Sequence, residues 1–172
     1  GHCIPIDPFY LTWKARAYDL NTRFIELAGE VNTDMPRYVV QRTIEALNAH
    51  KKSMNGSRIL IMGIAYKPNV DDDRESPSYK LMDMYMEMGA EVSYFDPHVP
   101  EIRHKREYPQ WTGMKSIKWD QVAIRAFDVV VIATDHADVN YEELGAWAVC
   151  IVDTRNAMHT LEHPPYEKVW KA

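Results

Sequence analysis

The chain has 172 residues, 46% of them hydrophobic and 26% charged, a composition that fits one soluble globular domain or a domain with an appendage. A formal net charge of −5 gives no basic footprint, which argues against nucleic acid as a partner, and no apolar run nears the roughly 20 residues needed to insert into a membrane. Two cysteines, Cys3 and Cys150, make no disulfide framework, and with nine Met they point to a reducing, cytoplasmic setting.

The first stretch, "GHCIPIDPFYL", sets Cys3 beside His2 and four residues before Asp7. Asp7 followed by Pro8 predicts a helix start, with the carboxylate as cap and Pro at the first helical position, and "PFYLTWKARAYDL" continues as a short helix with an apolar face. From Thr22 to His50 a second helical pattern carries Phe24, Leu27, Val31, Met35, Tyr38 and Val39 on one stripe, with Ile25, Val40, Ile44 and Leu47 off it. Pro36 interrupts that pattern, which leaves one kinked helix or two helices meeting at "NTDMP". A helix apolar on two sides needs cover on two sides, and a second copy of the chain is the expected cover. "HKKSMNGS" is a polar connector.

Beyond it the texture changes. "RILIMGIAY", "EVSYFDP", "DVVVIATDH" and "AVCIVDT" read as four short buried strands, with Cys150 a small core residue in the last. Between them lie a helix capped by Ser76 with Pro77 at its first position and helical stretches near 120–126 and 141–144. This alternation predicts an α/β, Rossmann-like parallel sheet, covered on both faces and preceded by a long helical segment. The divisions expected are a helical segment over 1–52 and a sheet domain over 53–172. The stretch "HVPEIRHKREYPQWTGMKSIK" is irregular and is assigned no function.

In such sheets ligands gather at the carboxyl ends of the strands. The first strand runs into "GIAYKPNVDDDRESP", which has Gly63 but no G-x-G-x-x-G, so no dinucleotide cradle is expected there. Lys67 and Arg74 in this loop suit a phosphate-bearing ligand held by side chains, and Arg155 in "VDTR" falls on the same edge. The alternative is a solvated loop in which Asp71, Asp72 and Asp73 neutralise the cations. Those three Asp do not make a calcium loop, since neither the Gly nor the Glu that it requires follows, and no metal is expected. Asp96, ending the second strand, stands either where a ribose-binding acid sits or as the cap of the "DP" turn.

"GHCIPIDPFYL", "GIAYKPNVDDDRESP" and "VDTRN", in this order, resemble the carboxyl-terminal half of the UDP-glucose/GDP-mannose dehydrogenase family, from Gly1 to about Ala157. "GHCIPIDP" is most similar to the branch acting on UDP-N-acetylhexosamines, whereas UDP-glucose members typically have Ser in place of His2. The resemblance implies oxidation of a sugar C6 alcohol to a carboxylate, with NAD as cofactor. It implies Cys3 as nucleophile, Asp7 as the acid that orients or activates water, and His2 as a positioning residue. It further implies Tyr66, Lys67 and Arg155 at the UDP-sugar, Arg74 at NAD, and a homodimer through the long helix. The family's amino-terminal NAD-binding domain is missing from the sequence, so a second reading stays open: a non-catalytic UDP-sugar-binding and dimerisation module. A cysteine hydrolase built on Cys3 and His2 is a poor third, since neighbours on an extended strand point to opposite sides.

Overall fold

The computed structural model describes residues 3, 4 and 6–172, so the parts of the opening motif that fall on Gly1, His2 and Pro5 lie outside the described residues. Helix α1 (Asp7–Arg16) doubles back on α2 (Arg23–Ala49). Then follow β1 (Arg58–Met62), α3 (Pro77–Glu87), β2 (Glu91–Phe95), α4 (Gln121–Arg125), β3 (Val129–Ile132), α5 (Tyr141–Trp147), β4 (Ile151–Asp153) and β5 (Val169–Lys171). The five strands form one parallel sheet in the order β2-β1-β3-β4-β5, so the order reverses between β1 and β3.

The expected parallel α/β sheet is present, and both faces are covered. Ile59, Ile61, Val129 and Val131 meet Val40, Leu47, Met82 and Tyr85 of α2 and α3 on one side. Leu60, Met62, Val130 and Ile132 meet Ile124, Leu144 and Met158 on the other. The strand side chains alternate between these two cores, which is why the strands read as unbroken apolar runs. Ser76, Asp120 and Asn140 cap α3, α4 and α5 through side-chain oxygens.

One expectation is corrected, one alternative is decided and one strand is new. Ile6, not Asp7, is the residue at the cap of α1, and no side chain caps that end: Asp7 is already inside the first turn, with Pro8 beside it. Across Pro36 the chain remains a single helix of 27 residues, about 40 Å long. The carbonyl deprived of a partner by Pro36 is that of the exposed Asn32, where water can satisfy it. Strand β5 was not expected, because three residues after a proline-rich stretch carry no readable period.

The apolar residues of α2 are divided by position along the helix rather than by face alone. Val39, Val40, Ala46 and Leu47 are buried against the sheet, whereas Phe24 (89% exposed), Leu27, Val31, Met35 and Tyr38 are open. The direction of α2 explains the split. Lys52, just past its end, pairs with Asp128 ahead of β3, and Arg42 Nε donates to Lys171 O of β5 at 2.9 Å. The helix therefore runs antiparallel to the strands, and its first half stands beyond their carboxyl ends. Among the described residues no helix is long and apolar enough to cross a membrane.

Candidate functional site

The carboxyl edge of the sheet is built first by two buried carboxylates. Asp96, closing β2, accepts through Oδ2 from Ile64 N (2.8 Å), Ala65 N (3.0 Å) and His136 Nε2 (3.1 Å). Through Oδ1 it accepts from His98 N (2.8 Å) and Val99 N (3.0 Å). Burial disfavours its charge, yet the bonds from His136, Ala65 and His98 outweigh that and hold the carboxyl below its usual range. Asp153, the last residue of β4, repeats the device, accepting from the N–H groups of Arg155, Ala157 and Met158. Of the two roles open to Asp96 in the sequence, the turn cap is the one observed.

This arrangement decides how an anion can be held. In a dinucleotide fold the amides just after the first strand face a pyrophosphate; here those of Ile64 and Ala65 are taken by Asp96. Gly63 (φ +88°) presses on the end of β3, and a Cβ there would lie 2.5 Å from Thr134 O. These two amides are therefore not available to a pyrophosphate, and the cationic side chains are the donors to which an anion at this edge can turn.

Those side chains are ordered unequally. Lys67 is exposed, its Nζ 5.3 Å from the Tyr66 ring centroid, and it joins no ion pair among the described residues. Arg74 is instead gripped by Asp72, with Nε to Oδ1 at 2.9 Å and Nη2 to Oδ2 at 2.6 Å. Asp73 is buried, paired with Lys105 and with the Tyr79 hydroxyl, and Asp71 lies 3.7 Å from Arg103. The neutralising reading of the three Asp thus applies to Arg74 and not to Lys67. Arg155 sends Nε to Ala133 O at 2.6 Å, which anchors its exposed side chain at the same edge. Strands β1 and β4 flank β3, so the two cationic loops start about 10 Å apart, a span for an extended ligand rather than a single phosphate.

Helix α1 returns along α2: Arg16 pairs with Glu26 at 2.9 Å, Thr22 Oγ1 donates to Thr12 Oγ1 at 3.0 Å, and Phe9 packs over Gly29. Because α1 is antiparallel to α2, its amino end points back toward the sheet. Cys3, exposed, heads this end, and its carbonyl accepts from Ile6 N and Asp7 N. Cys3 and Asp7 thereby share one turn on the side of the molecule that carries Lys67 and Arg155. Cys150 differs in kind: burial pushes its thiol up to about 11. His136 has no distinctive signal in the sequence beyond a "TDH" at a strand end.

A model of the UDP-glucose/GDP-mannose dehydrogenase family, UDP binding domain, matches residues 60–160. The UDP-N-acetyl-D-mannosamine dehydrogenase of Methanococcus maripaludis (strain C7) is 37% identical, over 98% of this chain and 36% of its own length. The UDP-N-acetyl-D-glucosamine 6-dehydrogenase of Pseudomonas aeruginosa is 29% identical over 85% of this chain and 33% of its own. Among solved structures, the UDP-D-ManNAc dehydrogenase of Pyrococcus horikoshii superposes with a TM-score of 0.78 at 28% identity, covering 99% of this chain and 38% of that one. The chain thus spans about a third of the length of these relatives.

Proposed function

The chain belongs to the UDP-glucose/GDP-mannose dehydrogenase family, and from that membership we propose that it is the UDP-sugar half of an NAD-dependent UDP-N-acetylhexosamine 6-dehydrogenase serving polysaccharide precursor synthesis. In this reading residues 53–172 hold the nucleotide, and 1–52 carry the nucleophile and the dimer contact. The observation that supports it is that the amides of Ile64 and Ala65 are spent on Asp96 while the exposed cations Lys67 and Arg155 stand on loops at the same edge. Tyr66 lies at the nucleotide, Lys67 and Arg155 at the diphosphate and sugar. NAD, when bound, would supply the hydride acceptor, and Arg74 is the contact this chain would offer it.

The chemistry assigned to this chain is that of Cys3 and Asp7. The thiolate adds to the C6 aldehyde, giving a thiohemiacetal that keeps the sugar bound between the two oxidations; the thioester formed by the second is cleaved by water that Asp7 orients. Sulfur suits the task because even a few per cent of thiolate is a strong nucleophile at neutral pH. A reducing cytoplasm keeps such a thiol free.

Lys67→Ala is expected to remove one charge-assisted contact and weaken UDP binding about tenfold. Titration calorimetry on this chain gives the answer, and equal affinities in variant and parent would remove Lys67 from the site.

The same reading includes a homodimer through α2, supported by the open stripe Phe24, Leu27, Val31, Met35 and Tyr38. Light scattering at micromolar concentration is expected to give about twice the 20.0 kDa of the chain, and Val31→Glu to restore the single mass. A parent that scatters as a monomer would contradict the dimer. Val39, on the same sequence stripe, is the wrong place for that charge, since it is buried against the sheet.

A further inference from the structure

His136 lies fully buried at the end of β3, on the reversal point of the strand order, with no part in the chemistry above. Its two nitrogens have unlike partners. Nδ1 faces the backbone N–H of Asn69 at 3.0 Å, and Nε2 faces Asp96 Oδ2 at 3.1 Å. A backbone N–H only donates, so Nδ1 must bear the lone pair and Nε2 the proton. Asn69 completes a ring of contacts by accepting from Ala137 N at 2.8 Å through its own Oδ1.

Asn69 sits two residues after Lys67 in the loop between β1 and α3, and it holds a left-handed backbone (φ +60°), which Asn tolerates better than other non-glycine residues. The ends of the loop have anchors of their own: Ile64 and Ala65 on Asp96, and Asp73 on Lys105 and Tyr79. Between them, among the described residues, the hydrogen bonds that tie 67–70 to the sheet are the two at Asn69. We propose that His136, as the neutral Nε2–H imidazole oriented by Asp96, is the positioning residue that locks the Tyr66–Lys67 loop into its nucleotide-binding shape. The proposal rests on the reading of that loop as the UDP site.

Two variants separate positioning from simple packing. His136→Phe fills the ring's space and loses both bonds; His136→Asn can place its Oδ1 where Nδ1 stood and restore the bond from Asn69. In the ligand-free chain, amide hydrogen exchange over 66–70 is expected to accelerate about tenfold or more in His136→Phe and to return toward the parent in His136→Asn. UDP affinity is expected to follow the same order, falling about tenfold and then recovering. Nitrogen-15 NMR of the parent is expected to find Nδ1 of His136 unprotonated. A protonated Nδ1, or faster exchange spread evenly over β1 and β3 with UDP affinity unchanged, would overturn the proposal and leave His136 a packing residue. Failure of the parent chain to bind UDP overturns the nucleotide reading and the role built on it, while the exchange measurement still decides whether the lock exists.

Discussion

Asp96→Ala is expected to cost about 4–5 kcal/mol of folding stability, at the upper end for one substitution. The carboxylate accepts five hydrogen bonds, four of them from backbone amides at the ends of two strands. Deleting it strands buried donors that cost about 1–3 kcal/mol each, less whatever water recovers. Urea unfolding followed by circular dichroism measures the loss, and a change under about 1 kcal/mol would refute the account. The pH dependence has a defined sign. The folded carboxyl titrates below its ordinary value, so its contribution is complete above the unfolded value of about 3.9 and is lost as pH falls through the folded one. Asp128, lowered through Lys52 and the Arg58 amide against the effect of burial, adds a slope of the same sign. The comparison that isolates Asp96 is therefore the parent against Asp96→Asn, whose stability should fall less steeply with acid below about pH 4.

Cys3→Ser, in an enzyme where this chain is joined to an NAD-binding domain, is expected to lower the overall oxidation by roughly a thousandfold or more, as loss of a catalytic nucleophile does. Serine's hydroxyl is scarcely ionised at neutral pH, and the ester it would form is a poorer acyl intermediate than a thioester. UDP binding should persist, since Tyr66, Lys67 and Arg155 belong to other loops. Asp7→Asn should slow the hydrolytic half, so that an adduct on Cys3 builds up and is visible by intact mass spectrometry. Full activity in Cys3→Ser would overturn the assignment. Alkylation gives an independent check: iodoacetamide should modify the exposed Cys3 rapidly and leave buried Cys150 untouched.

The sheet was legible because its strands are buried on both faces: "LIM" and "VVVI" have no polar alternation to confuse, and Ser76-Pro77 marks a helix start unambiguously. Strand β5 was not legible, since Val169–Lys171 is half-buried and pairs with β4 alone. The cations at the strand ends were visible as residue types, but their partners were not. Nothing in "DDDR" says that Asp72 grips Arg74 while Asp73 turns inward to Tyr79 and Lys105. His136 was hidden for the same reason, since its value lies in Asn69 and Asp96, 67 and 40 residues away. The irregular stretch set aside in the sequence proves to be a buttress. Lys105 pairs with Asp73, Trp111 Nε1 donates to Asp83 at 2.7 Å, and Ser116 Oγ accepts from Asp96 N at 3.0 Å.

The clasp between α2 and β5 also sets a timetable. Arg42 reaches across 129 positions to Lys171 O, and its guanidinium lies 5.5 Å from the Trp170 ring centroid. On the ribosome, at about 5–20 residues per second, β5 emerges some 6–26 s after the helix it will meet. Throughout that interval Val39, Val40 and Leu47 have an incomplete sheet to cover them. The nascent chain is then open to mispairing and to capture by chaperones, and a pause in translation shortly before β5 would prolong that exposure.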